Sequence, residues 1–149
     1  MPAPDPLRLL RHANDLIAQT APQQTDLRKA ISSAYYAVFH FIATKASDLV
    51  VGTDNRSETV YRVVYRNVDH QRLKTLGNEL RGSTPGKMLG PYTPIGGFGS
   101  VANFARLTSE LQELRHTADY DPIQSFTIDD AKDAIAKSRR SDETFRCIE

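Results

Sequence analysis

The side chains best equipped for chemistry in this sequence fall into two groups. The first is Lys29, Ser33, Tyr36 and His40, at offsets 0, 4, 7 and 11. On a helix that spacing sets all four on one face. Arg28, Ser32, Tyr35 and Phe39 form the adjoining stripe. Polar atoms along a core helix must be paired, so two explanations stand side by side: a satisfied Tyr–His hydrogen bond beside the core, or the lining of a ligand groove. The second group is the run Leu114–Arg115–His116–Thr117–Ala118–Asp119–Tyr120–Asp121–Pro122. An exposed Arg115–Asp119 pair at i,i+4 is worth only about 0.3–0.5 kcal/mol. The same arginine can instead hold a phosphate bidentately while a histidine or tyrosine moves a proton.

Helices must carry both groups, because the apolar pattern is helical throughout and no segment alternates as a strand does. A first helix is expected from about Asp5 to Gln19, with Pro6 in its first turn and Leu9, Leu10, Ala13, Leu16 and Ile17 facing inward. A second runs from near Asp26 to Val50, stopped by Gly52, with Leu27, Ile31, Ala34, Tyr35, Val38, Ile42 and Leu49 on its inner stripe. Arg56 to Leu80 reads equally as one kinked helix or as two, with Asp69 capping the second. Its stripes are Val60, Val63, Val64 and Val68, then Leu73, Leu76 and Leu80. Ser100 is expected to cap a fourth helix, lined by Val101, Phe104, Leu107, Leu111, Leu114 and Ala118 and ended by Pro122. Thr127 caps a fifth, with Ile128, Ala131, Ile135, Phe145 and Ile148 on its apolar side. Its acidic start and basic finish suit the helix dipole. The expected fold is all-α, a single domain over 1–149 forming an antiparallel up-and-down bundle of about five helices.

Residues 82–99 interrupt this pattern with six of the eight glycines and three prolines. Loops of that length are usually functional or disordered. Gly82–Ser83–Thr84–Pro85–Gly86–Lys87 lacks the strand-to-helix setting of a P-loop, so a flap over a cleft or simple disorder is the expectation.

Composition narrows the classes further. The formal net charge is +1. Residues 55–88 nevertheless carry seven basic and three acidic side chains, and 106–149 carry seven basic and ten acidic. Such polarity fits a polyanion on one surface or a dimer that docks its own opposite charges. A lone cysteine, Cys147, excludes an internal disulfide and has no histidine beside it for catalysis. His12, His40, His70 and His116 show no metal-ligand spacing, and neither a metal nor another cofactor is expected. No apolar run reaches the ~20 residues that cross a bilayer, and no secretion signal opens the chain, so the expected location is the cytoplasm.

Taken together, the two groups resemble a family. The stretch from Arg28 to His40, with Ser32–Ser33, Tyr35–Tyr36, Phe39 and His40, is similar to the second helix of HEPN domains (higher eukaryotes and prokaryotes nucleotide-binding), most of all in their small stand-alone prokaryotic branch. That branch also carries an arginine followed by an alanine–aspartate–tyrosine unit late in the chain, matched by Arg115 and Ala118–Asp119–Tyr120. The resemblance implies a helical homodimer whose site lies in the cleft between protomers, binding RNA or a nucleotide. Catalytic members are metal-independent endoribonucleases, often in toxin–antitoxin or defence systems. Arg115–His116 match the opening of their motif, but its closing histidine is absent: Asp121, Pro122 and Ile123 stand where it would fall. A related toxin branch, modified on tyrosine by a partner nucleotidyltransferase, has a histidine where this chain has Ala118. By resemblance, the catalytic candidates are Arg115, His116, Tyr120 and His40. Arg28, Ser33, Tyr36 and Asp119 are the substrate-binding candidates. Arg115 would hold a phosphate, Asp119 would orient it, and His40, His116 or Tyr120 would move a proton from a ribose 2′-hydroxyl. His70, following Arg66–Asn67, imitates the nuclease motif with too short a spacer and is read as coincidental. The alternative is a non-catalytic helical module that assembles with a partner such as a nucleotidyltransferase or an antitoxin.

Overall fold

A computed structural model describes residues 3–81 and 86–146. Among the described residues there are six α-helices and no strand: α1 (Pro6–Ile17), α2 (Gln24–Val51), α3 (Thr59–Asn67), α4 (His70–Arg81), α5 (Ser100–Tyr120) and α6 (Ile128–Arg146). The all-helical bundle expected from the apolar periodicity is present. The extra helix comes from the Arg56–Leu80 region, which divides into α3 and α4. Val68 is extended there, and the Asp69 carboxylate accepts the Arg72 N–H at 2.8 Å, the cap that lets α4 start afresh.

α2 is the axis of the molecule, packing against α1, α3, α5 and α6, while α4 packs on α5. Its start is set by a reciprocal cap in which the Asp26 carboxylate accepts the Gln23 N–H at 2.8 Å. Its end is Gly52, whose φ of +95° suits glycine better than any side chain. Leu27, Ala30, Ile31, Ala34, Tyr35 and Val38 on α2 meet Leu10, Ala13, Leu111, Ala118, Ala131, Ala134 and Ile135 in one core. The many alanines let the helix backbones approach closely. The Asp5 carboxylate caps α1 by accepting the Leu7 N–H at 2.9 Å. Thr127 and Asp130 cap α6 reciprocally.

Several expected inward positions face out. Leu49 is 83% exposed, because α2 by then has passed the end of the core, and Val60 and Val63 are each 53% exposed. α3 buries Tyr61 instead, whose hydroxyl donates to the Asp48 carboxylate at 2.9 Å. That carboxylate also takes two hydrogen bonds from Arg56, which together hold it below the usual carboxylate range. Ile128 is partly exposed too, at the very start of α6. Ser100 does not cap α5. Gly99, at φ +53°, occupies the cap position with no side-chain bond, and Ser100 is the first helical residue. In the glycine-rich segment, 82–85 lie outside the described residues. From 86 onward the chain forms turns around a short 3₁₀ segment, Gly90–Tyr92, anchored by the Leu89 N–H donating to the Glu79 carboxylate at 3.3 Å. The expected apolar contributions of Phe145 and Ile148 also fall outside what is described.

Candidate functional site

Helix α5 lies against α2 so that Arg115, close to its last turn, points across the middle of α2. Arg115 is only 7% exposed. Its guanidinium carbon sits 5.3 Å from the ring centre of Tyr35, 5.6 Å from Tyr36 and 5.9 Å from Tyr120, within the reach of cation–π attraction. Among the described residues one carboxylate attends it: Asp119, one turn on, with its oxygen 3.5 Å from an Arg115 terminal nitrogen. Asp119 also accepts from the Ser32 hydroxyl at 3.3 Å, which ties the end of α5 to α2. The Arg115 Nε is buried and has no hydrogen-bond partner.

Around this cation stands a shell of rings. The Tyr35 hydroxyl and His70 Nδ1 share a 2.6 Å hydrogen bond, and the His70 ring lies 4.3 Å from that of Phe39. The first residue of α4 is fixed from the far side as well, because the His70 carbonyl accepts from the Gln112 amide at 2.7 Å. Tyr36 is stacked on His40 with ring centres 6.1 Å apart, and His40 Nδ1 shares a 2.6 Å hydrogen bond with the Tyr65 hydroxyl. Tyr36 thus stands between Arg115 and His40. Burial pushes both imidazoles below their ordinary pKa, aided at His70 by Arg115 and at His40 by His70. Burial also drives the Tyr35 phenol well up, outweighing Arg115's opposite pull. Both histidines are therefore neutral near pH 7.

Not every candidate joins the cluster in the same way. Arg28 is committed to main chain, donating to the carbonyls of Ala118 and Asp121 at 2.8 Å each and to that of Gln124, with its guanidinium over the Phe126 ring. Those acceptors include the carbonyls that a helix end leaves unpaired, so Arg28 is a clamp on the close of α5. Ser33 is buried on α2. Lys29 is exposed, which ends the polar face one turn before the cluster. His116 is exposed with its ring 5.0 Å from that of Tyr120, and Tyr120 is 67% exposed, so these two form the solvent edge.

Two members are not marked as site residues by the sequence. The short spacer to Arg66–Asn67 makes His70 look coincidental, yet the start of α4 delivers it to Tyr35. Nothing in the chain announces that contact. Tyr65 did leave a trace: Tyr61 and Tyr65 repeat at i,i+4, matching the i,i+4,i+8 run His40, Thr44 and Asp48 that faces them. Among the described residues no group of three or more His, Cys, Asp or Glu side chains could hold a metal ion. No helix among them is long and apolar enough to cross a membrane.

The arrangement can do two things. A nearly buried guanidinium whose one ion pair is long can take an anion. Neutral imidazoles beside it can accept or relay a proton near neutral pH. No family model matches the chain, and no curated protein or solved structure is found to match it. The site must be read from its own geometry.

Proposed function

We propose that this protein is a HEPN-like domain that binds RNA or a nucleotide through Arg115, in a cleft completed by a second copy of the chain. The observation that carries this reading is the Arg115 environment: a cation at 7% exposure, walled by three tyrosines, with an unpartnered Nε and one carboxylate at 3.5 Å. A buried charge so thinly compensated is costly unless a ligand completes it. Exposed Tyr120 and half-buried Tyr36 offer faces on which a base can stack. Exposed Arg62 and Arg66 on α3 supply further cations for a phosphate backbone. If cleavage occurs, His70, bonded to Tyr35, or His40, on the far side of Tyr36, would take the place of the missing closing histidine. A second reading, a non-catalytic module that joins a different protein such as a nucleotidyltransferase or antitoxin, is favoured by the exposed apolar side chains of Leu49, Val50, Val60 and Val63.

The test is fluorescence anisotropy and gel analysis of labelled single-stranded RNA with the full chain in excess chelator. Saturable binding that falls at least tenfold in Arg115→Ala supports the proposal, and cleavage lost in the same variant adds the enzyme. An Arg115→Ala protein that stays folded and binds as wild type would contradict it. Absence of RNA binding by a folded wild-type protein would leave the interaction-module reading.

A further inference from the structure

The Arg115 side chain is only 9% exposed, so a ligand reaches its guanidinium only when something beside it moves. Asp119, on the last turn of α5, is the group placed to do so. Its side chain is 27% exposed, and its two contacts are both long. One and the same carboxylate oxygen lies 3.5 Å from the Arg115 terminal nitrogen and 3.3 Å from the Ser32 hydroxyl. Charge-assisted hydrogen bonds ordinarily close to about 2.7–2.9 Å. Elsewhere in this molecule they do: Arg56 Nε is 2.8 Å from Asp48, and Lys137 is 2.8 Å from Asp133. The i,i+4 spacing is not what holds Asp119 off, because Lys137–Asp133 has that spacing too, and Arg106–Glu110 closes to 2.6 Å across it.

An aspartate that makes one loose contact with one guanidinium nitrogen is a poor partner beside a phosphate, which can take two short parallel bonds from the same group. Resting on the Arg115 reading above, we infer that Asp119 is an internal competitor for the anion site. Its carboxylate stands where a ligand phosphate oxygen binds, with Ser32 holding it there, and it swings aside when RNA or a nucleotide enters. Two negative groups on one guanidinium repel, so carboxylate and ligand exclude each other. The competitor also selects. Only an anion that gains more from Arg115 than one loose ion pair displaces it, which favours a bidentate phosphate over a simple carboxylate. The expectation for removing Asp119 is thereby reversed: an aspartate that orients the arginine weakens binding when it is lost, whereas a competitor strengthens it.

Labelled single-stranded RNA would be titrated in chelator into the full-length wild type, Asp119→Asn and Ser32→Ala, with inorganic phosphate and acetate as competing anions. Asp119→Asn should bind RNA about tenfold more tightly than wild type, and Ser32→Ala should gain by a smaller factor. Phosphate should displace RNA from both wild type and Asp119→Asn, and acetate from Asp119→Asn alone. Asp121→Asn is the control, since it removes the same charge two residues away without touching Arg115, and it should change affinity less than twofold. Should Asp119→Asn fail to fold by circular dichroism, Ser32→Ala carries the test, because it loosens the carboxylate and keeps its charge. RNA affinity unchanged or weaker in folded Asp119→Asn would overturn the inference while leaving Arg115 as the ligand site. An equal gain in Asp121→Asn would overturn it as well, as a general effect of charge. No RNA binding by any of the folded proteins would instead remove the Arg115 reading itself, and this inference with it.

Discussion

Replacing Arg115 with methionine separates a cation kept for a ligand from one kept for the fold. Methionine retains much of the flexible stem and packs well against aromatic rings. Three terms decide the outcome. Losing attraction to three rings at 5.3, 5.6 and 5.9 Å removes about 0.5–1 kcal/mol each, so roughly 2 kcal/mol in all. Relieving the buried unpartnered Nε returns about 1–3 kcal/mol. Relieving the guanidinium's own desolvation returns a further amount, offset by leaving Asp119, 3.5 Å away, without its cation. The balance lies within about 1 kcal/mol of neutral. Urea denaturation of wild type and Arg115→Met, compared at equal m, reads the difference directly. A variant within about 1 kcal/mol of wild type in stability, and unable to bind RNA, is the expected pair of results. Destabilisation by more than about 2 kcal/mol would show that Arg115 is a structural tie between α5 and α2 and would refute the reasoning.

Arg28→Ala should behave in the opposite way. Losing three hydrogen bonds from a charged donor at a half-buried site costs about 2–3 kcal/mol, a fall in Tm of about 5–10 °C by calorimetry, with residual RNA affinity little changed once the protein is folded. The two histidines make stability depend on mild acid. Their folded pKa values lie below 6.5, so the unfolded chain binds protons first as pH falls, and stability present above that pH declines as the pH drops below it. His70→Gln should flatten that slope, measured as urea midpoint against pH, and an unchanged slope would contradict the burial of His70. Tyr65→Phe leaves His40 Nδ1 without its partner, and faster amide exchange confined to α3 is expected.

Much of the fold was legible because apolar periodicity and caps act locally. Gly52, Thr127, the inner stripes of α1 and α5, and that of α2 as far as Ile42 do what their spacing implies. Val60, Val63 and Leu49 misled for one reason: periodicity shows that a face is apolar but not that another helix covers it, and α3 turns its tyrosines inward. The candidate site was half legible. Tyr36, His40, Arg115 and Asp119 share two helices, so spacing could group them within each helix. Arg28 carries the same residue type as a ligand-binding arginine, and only its three carbonyl partners reveal a clamp. His70 joins through a tertiary contact between the start of α4 and the middle of α2, which no local pattern encodes.

The most direct measurement concerns the Arg115 Nε–H itself. In ¹⁵N NMR, titration with a short single-stranded RNA in chelator should move that resonance saturably, with the same midpoint as the Tyr36 and Tyr120 ring signals. An Nε–H signal that stays put while RNA binding saturates would place the ligand elsewhere and remove Arg115 from the site.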